Sequence, residues 1–205
     1  MLDGQMRKLI DPVVDRWAKG LVTMGWTANG MTLLGLALGL GAALMIALGL
    51  AHLALVPLLA GRIADGLDGA IARATQKTDL GGFFDIVADF LFYGAVPLGF
   101  AWAAPDTNAL AASFLLLTFY VNGASFLAYA VLAERHGMQT ASRGEKSLYF
   151  TSGLLEGTET ILFFVLLCLW PQNFAELAWV FGVLCLFTTA ARVALAARVF
   201  APAPH

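Results

Sequence analysis

Long apolar runs restrict the folding of this chain more than any other feature of its sequence. Three of them, Met31–Leu50, Ala109–Ala133 and Leu177–Ala197, together contain a single charged residue. A helix of about 20 mostly apolar residues is long enough to cross a bilayer. Charged residues make up only 13% of the 205 residues, against about 25% in typical soluble domains. The sequence therefore predicts a membrane protein and excludes an ordinary soluble domain.

Three further runs contain acidic residues but are also long enough to cross a bilayer. They are Leu53–Arg73, Gly82–Trp102 and Ser147–Trp170. Polar residues and helix breakers separate successive runs, as at 103–108 and 171–176. We therefore predict an all-α integral membrane protein whose six transmembrane helices form a single domain over residues 27–200.

The first 22 residues have a different pattern. Charged residues interrupt any apolar core there, which excludes a signal peptide. Apolar residues instead recur at helical spacing: Leu2, Met6, Leu9, Ile10, Val13, Val14 and Trp17. This pattern predicts an amphipathic juxtamembrane helix over residues 1–22 that lies on the membrane surface. The alternative is a helix that packs on a partner protein.

The few basic residues indicate the orientation of the chain. They gather before the first predicted span, at 73–77, at 135–146 and at 192–198, whereas the loops at 50–52, 103–108 and 171–176 have none. Cytoplasmic loops carry the excess of Lys and Arg in membrane proteins. Both termini and the loops at 74–81 and 134–146 are therefore predicted to be cytoplasmic. The net charge of −2 gives no support for a nucleic-acid partner.

Six of the fourteen acidic residues lie inside predicted spans, where ionisable side chains are costly and by default mark a functional site. They are Asp65, Asp68, Asp85, Asp89, Glu156 and Glu159. Arg62 is the only basic residue well inside a span, so the acids lack matching cations. Such carboxylates are either protonated or bound to metal.

Helix geometry brings the four aspartates to a similar depth. Each pair is spaced by three or four residues and so shares one face of its helix. At a rise of about 1.5 Å per residue, Asp65 and Asp89 lie about 12 Å from the cytoplasmic ends of their helices. The corresponding distance for Asp68 and Asp85 is about 6–8 Å. Because carboxylates suit hard cations, we predict a site for one or two Mg²⁺ or Mn²⁺ ions that performs phosphoryl transfer.

The aspartates belong to a longer motif. Residues 65–73 read D-G-L-D-G-A-I-A-R and, after a spacer of seven residues, residues 81–89 read G-G-F-F-D-I-V-A-D. This resembles the signature of the CDP-alcohol phosphatidyltransferases, D-x-x-D-G-x-x-A-R followed by G-x-x-x-D-x-x-x-D. The segment T-A-N-G-M-T at 27–32 resembles the T-P-N-x-x-T that members of this family often have before their first span.

The resemblance implies a homodimer in the bacterial inner membrane with two divalent cations, Mg²⁺ or Mn²⁺, per protomer. It makes Asp65, Asp68 and Asp85 metal ligands, and Asp89 the remaining ligand and the general base. The residues that would border the nucleotide and its pyrophosphate are Asn29, Thr32, Gly66, Gly69, Ala72 and Arg73. A cytoplasmic anchor is an equally natural interpretation of Arg73.

The implied reaction transfers a phosphatidyl group from CDP-diacylglycerol to an alcohol acceptor and releases CMP. Glu156 and Glu159 are expected to face the cavity, where they would bind an amino or quaternary-ammonium headgroup or a polyol. Arg143 and Lys146 would instead receive a phosphorylated alcohol such as glycerol-3-phosphate or inositol phosphate. Purely structural interpretations are that the glutamates hold Arg62 and that the basic pair anchors the chain.

Two other functional classes compete with this interpretation. A cation- or proton-coupled transporter also needs intramembrane acids, but here they concentrate in one hairpin and the fifth span rather than in corresponding halves of a repeat. A structural membrane subunit has no need for six intramembrane carboxylates. The sequence therefore favours a membrane-bound transferase of phospholipid biosynthesis.

Overall fold

The computed structural model describes residues 3–138 and 157–201, and these residues contain helices and turns but no strand. The helices are α1 Asp3–Thr23, α2 Ala28–Ala47, α3 Ala51–Ala74, α4 Asp79–Ala103, α5 Pro105–Arg135, α6 Gly157–Leu169 and α7 Phe174–Val199. A 3₁₀ turn, Pro171–Asn173, precedes α7. The prediction of an all-α protein is confirmed for this part of the chain.

Four segments in the described ranges are long and apolar enough to cross a membrane. They are Ala28–Ala47, Asp79–Ala103, Pro105–Arg135 and Pro171–Val199. Helix α3 has 24 residues, but it contains two arginines and two aspartates. Helix α6 is apolar and has 13 described residues. A multi-pass membrane protein is therefore supported, and the figure of six spans stays a prediction.

The connection between α4 and α5 is shorter than the sequence pattern indicates. A loop is predicted at 103–108, yet α5 begins at Pro105, so Ala104 alone separates the two helices. Proline is favoured at the first position of a helix because its ring presets φ and the missing N–H has no partner there anyway. The buried Asn108 side chain donates a hydrogen bond of 3.0 Å to the carbonyl of Phe100 and ties the two helices together.

Helix α2 is the centre of the bundle, since both α3 and α4 pack mainly against it rather than against each other. Glycines permit this close approach. A Cβ added to Gly61 of α3 would lie 2.9 Å from the carbonyl oxygen of Gly35 in α2. A Cβ added to Gly99 of α4 would lie 2.6 Å from the carbonyl oxygen of Ala43. Small residues at such crossings are typical of packed membrane helices.

Aromatic rings join the middle of α4 to α6, and α6 to α7. Phe92 meets Phe164 edge to face with ring centroids 5.6 Å apart, and Phe163 stacks on Phe181 at 3.9 Å. Phe92 and Phe164 are fully buried. The edge-to-face pair adds roughly 0.5–1.5 kcal/mol beyond the burial of its area. The cluster fixes the position of α4, which carries two of the four aspartates.

Helix α1 packs along α3, as an amphipathic helix should. Ala18 is fully buried beside Ala64, Leu67 and Ile71, whereas Trp17 is 58% exposed. The side chains of α1 are described from residue 13 onward, so the apolar stripe predicted before that point lies outside the described side chains. Contact with α3 makes α1 part of the domain surface, and its position on the membrane stays a prediction.

We expect Gly61→Ala to destabilise the protein, because the new methyl group would push α3 away from the backbone of α2. Overpacking of this kind costs about 1–3 kcal/mol. The measurement is the midpoint of thermal unfolding in detergent, with Gly41→Ala as the control. Gly41 lies in the partner helix α2, and a Cβ there would meet no atom within 4 Å. Equal midpoints for the two variants would contradict the proposed close contact.

Candidate metal centre

Three carboxylates meet at one point between α3 and α4. One ligand oxygen from each of Asp65, Asp68 and Asp85 lies within 4.8 Å of the others. Asp68 is buried and the other two are partly buried. Three hard oxygen donors at this spacing fit Mg²⁺ or Mn²⁺. The structure thus brings together three of the four aspartates that the sequence predicts to share a site.

Helix α2 supports this group through Thr32. The Thr32 hydroxyl donates a hydrogen bond of 2.6 Å to Oδ2 of Asp68, and both residues are buried. A hydrogen bond from a neighbouring side chain orients a metal-binding carboxylate and strengthens the site. The sequence associates Thr32 with the nucleotide, and its contact with a candidate metal ligand is a finding that no local pattern signals.

Asp89 lies next to this group and contacts an arginine. Arg62 Nη1 lies 2.7 Å from Oδ1 of Asp89, and Nη2 lies 3.5 Å from Oδ1 of Asp65. The Arg62 guanidinium also lies 4.1 Å from the centroid of the Phe92 ring. Asp65 is three residues from Arg62 in the same helix, yet the shorter contact of Arg62 is with Asp89 of α4. The fourth aspartate therefore lies outside the group of three and contacts a cation of the chain.

A cavity of about 520 Å³ opens beside the carboxylates, where one end of each of α2, α3 and α4 meets. Five of the six residues predicted to border a nucleotide line it, together with Asp68 and Asp85: Asn29, Thr32, Gly69, Ala72 and Arg73. The sixth, Gly66, is exposed, and a Cβ there would meet no atom within 4 Å. Residues that the sequence did not single out also line the cavity, namely Trp26, Thr75, Gln76 and Lys77.

The N-termini of α2 and α4 face this cavity. Thr27 and Thr78 cap the two helices, each accepting a hydrogen bond of 3.1 Å from a glycine N–H three residues on. The two ends are close, because a Cβ on Gly81 would lie 3.2 Å from Oδ1 of Asn29. Helix N-termini carry a partial positive charge and free N–H groups, which favour anions such as phosphates.

Arg73 lines the cavity and also contacts α1. Its Nη2 lies 3.0 Å from Oδ1 of Asp15, and the two side chains are 34% and 50% exposed. An ion pair this accessible contributes about 0–1 kcal/mol. The ion pair adds little stability, but it holds α1 next to the mouth of the cavity. The two residues are 58 positions apart, and no sequence pattern indicates that they meet.

The acceptor residues are the least defined part of the site. Glu156, Arg143 and Lys146 lie outside the described residues. Glu159 lies in the first turn of α6, is partly buried, and is not among the residues that line the cavity. Its assignment to the acceptor therefore stays a prediction.

Comparison with known proteins gives a match over most of the chain. A family profile described as CDP-alcohol phosphatidyltransferase matches residues 25–194. The inner membrane protein YnjF of Escherichia coli strain K12 is 50% identical over 193 residues, which cover 94% of each chain. Archaetidylinositol phosphate synthase of Pyrococcus horikoshii is 34% identical over 99 residues, 48% of this chain and 53% of that one.

Solved structures of a phosphatidylinositol phosphate synthase from Mycobacterium tuberculosis share the fold. The structure with CDP-diacylglycerol bound has a TM-score of 0.68 at 21% identity and covers 91% of this chain and 94% of its own. The structure in complex with manganese and citrate has a TM-score of 0.70 at 23% identity and covers 89% and 88%. At these identities the likeness concerns the fold.

We expect Asp68→Asn to lower the affinity for Mn²⁺ by at least about tenfold, because it removes a charged ligand from the group of three. Mn²⁺ binding is measured by electron paramagnetic resonance of the free ion. The control is Asp106→Asn, whose side chain lies in the first turn of α5 at the opposite end of α4. Equal affinity in the two variants would contradict a metal site at Asp68.

Proposed function

Because the chain belongs to the CDP-alcohol phosphatidyltransferase family, we propose that it transfers a phosphatidyl group from CDP-diacylglycerol to the hydroxyl of a small alcohol and releases CMP. One observation carries the proposal. The group formed by Asp65, Asp68 and Asp85 borders a cavity that two helix N-termini also face. Metal-binding carboxylates and anion-binding helix ends side by side suit a pyrophosphate substrate.

The cavity supports the proposed donor. Asn29, Thr32 and Arg73 supply polar contacts for a nucleotide diphosphate, and Gly69 and Ala72 let it approach the backbone of α3 closely. Gly66 lies outside the cavity lining, so its proposed place beside the nucleotide rests on the family signature. The fold shared with a synthase whose structure contains CDP-diacylglycerol supports this assignment. Lys77, in the connection between α3 and α4, adds a second positive charge to the cavity wall.

Two divalent cations, Mg²⁺ or Mn²⁺, are proposed as the cofactor. Asp65, Asp68 and Asp85 would hold them, with Asp89 as the remaining ligand. Bound cations neutralise the pyrophosphate and the developing charge on the departing CMP. The solved structure with manganese and the spacing of the three carboxylates support this choice.

Asp89 is proposed as the general base. It accepts the proton of the acceptor hydroxyl while the acceptor oxygen forms a bond to the phosphorus that carries diacylglycerol. The bond from that phosphorus to the CMP oxygen breaks, and CMP takes the bonding electron pair. Arg62 donates a hydrogen bond of 2.7 Å to Oδ1 of Asp89 and so links α3 to α4 beside the site. No covalent link to the protein is needed.

The acceptor is proposed from charge alone. Glu156 and Glu159 suit an amino alcohol or a polyol, whereas Arg143 and Lys146 suit a phosphorylated alcohol. The second class has support from a relative, since the Pyrococcus protein is an archaetidylinositol phosphate synthase. Inositol phosphate and glycerol-3-phosphate are therefore the leading alternatives to an unphosphorylated acceptor.

The proposed setting is the inner membrane, as for the Escherichia coli relative. Six transmembrane helices over residues 27–200 follow a juxtamembrane helix at residues 1–22. Both termini and the mouth of the cavity face the cytoplasm, where soluble acceptors are available. The active form is proposed to be a homodimer, by analogy with the family.

Purified protein is expected to release CMP from CDP-diacylglycerol only when Mg²⁺ or Mn²⁺ and a suitable alcohol are present. A panel of glycerol, serine, inositol, inositol phosphate and glycerol-3-phosphate identifies the acceptor class by the rate of CMP release. Asp68→Asn serves as the inactive control. If no acceptor supports CMP release, the proposed transferase activity is wrong, and a transporter or a structural subunit is favoured.

Asp89→Asn is expected to slow CMP release by at least about 100-fold, because it removes the proton acceptor. Binding of Mn²⁺ at the group of three should persist, since that group does not include Asp89. Asp106→Asn provides the matched carboxylate-to-amide control. Full CMP release by Asp89→Asn would show that another group takes the proton.

A further inference from the structure

Arg62 is buried among the acids of the candidate metal centre. Its side chain is 8% exposed, and its two terminal nitrogens face Asp89 and Asp65. The buried Nε has no hydrogen-bond partner among the described residues, so the hydrogen bonds of the guanidinium come from its outer edge only. In the proposed reaction Arg62 binds no charged group of the substrate, because the pyrophosphate is proposed to lie beside Arg73 at the mouth of the cavity.

Charge balance indicates what the arginine does. Four ionised aspartates carry four negative charges, which two divalent cations balance without any help from the protein. Arg62 is the positive charge that the described structure places against two of the four acids, so it offsets part of their charge whenever no cation is bound. After the cations bind, the guanidinium is a like charge beside them and repels them.

We propose that Arg62 takes the place of a divalent cation in the metal-free protein and gives up Asp89 when the second cation binds. This inference rests on the proposed two-metal site. The group formed by Asp65, Asp68 and Asp85 takes the first cation, because its three oxygens already lie within 4.8 Å of one another. The second cation needs Asp89, which is bonded to Arg62 at 2.7 Å. Arg62 thus sets the affinity of the second metal position and makes it the weaker of the two.

Phe92 makes this exchange possible within the membrane. Its ring lies 4.1 Å from the guanidinium and provides a cation–π contact that does not depend on Asp89. The ring is fixed, since it is fully buried and a Cβ added to Gly39 would lie 2.6 Å from it. When Asp89 turns toward a cation, Arg62 retains Phe92 and need not move into lipid.

The test compares Mn²⁺ binding by the full chain and its Arg62→Gln variant in detergent, counted from the free-ion paramagnetic resonance signal. The variant is purified with Mn²⁺, and a chelator removes the ion before titration. We expect the second Mn²⁺ to bind roughly tenfold more tightly in the variant, because a neighbouring positive charge is gone. We also expect a lower unfolding temperature without metal and a larger rise when Mn²⁺ is added. If Arg62→Gln unfolds as soon as the chelator removes Mn²⁺, this also supports the proposal, because the variant then depends on the metal for its stability.

Two further variants separate charge from packing. Arg62→Lys keeps the positive charge, so its second Mn²⁺ affinity should stay close to that of the unaltered protein. Arg192→Gln removes another buried arginine, one bonded to Asn122 and Ser125 in α5, and should leave Mn²⁺ binding unchanged. Tighter second-site binding in either variant would contradict an effect of the Arg62 charge.

The outcomes also separate this inference from the proposed function. Two Mn²⁺ ions bound by the unaltered protein, with equal or weaker binding by Arg62→Gln, would overturn the role of Arg62 and leave the metal-dependent transferase standing. No Mn²⁺ binding by either protein would overturn both. CMP release is measured separately, so a protein that binds Mn²⁺ but transfers nothing would contradict the transferase alone.

Discussion

The constraint on which this structure depends is the presence of carboxylates inside an apolar helix bundle. Leaving such groups uncompensated in a membrane costs several kcal/mol each, so the surrounding helices must supply partners. They do so in two ways. Thr32 of α2 donates to Asp68, and Arg62 of α3 binds Asp89 of α4. These two contacts join the three helices that enclose the cavity and therefore couple the fold to the chemistry of the site.

Close packing by glycine makes those contacts possible. Helix α2 meets α3 at Gly35 and Gly61, where a methyl group on either residue would approach the opposing carbonyl oxygen to about 3 Å. The glycines set the helices at a distance that polar side chains of ordinary length can bridge. The N-termini of α2 and α4 then lie next to each other, and their N–H groups add a preference for anions beside the acids. Carboxylates that could hold a cation and helix ends that favour anions thus share one cavity wall.

Much of this arrangement could be predicted from the sequence. Charged residues are rare in this apolar chain, so their positions indicate both its orientation and its functional site. Hydropathy predicts the membrane helices. The spacings of three and four residues, together with the family signature, predict the grouping of Asp65, Asp68 and Asp85. The ion pair of Asp15 with Arg73 could not be predicted, since it joins residues 58 positions apart that meet only because α1 packs on α3. The preference of Arg62 for Asp89 also depends on how α3 and α4 are held against α2, and no local pattern encodes that. The start of α5 at Pro105 shows that a proline typical of loops can equally begin a helix.

If the group formed by Asp65, Asp68 and Asp85 holds a divalent cation against the pyrophosphate of a CDP-linked lipid, as we propose, the ion and the phosphate oxygens are in direct contact. The most direct measurement is electron–nuclear double resonance of the Mn²⁺-loaded protein with CDP-diacylglycerol bound, which reports ³¹P nuclei coordinated to the ion. We expect a ³¹P coupling of the size that direct Mn²⁺–phosphate coordination produces, and its loss in Asp68→Asn. A bound Mn²⁺ with no ³¹P coupling in the unaltered protein would overturn the proposed contact between the metal and the pyrophosphate.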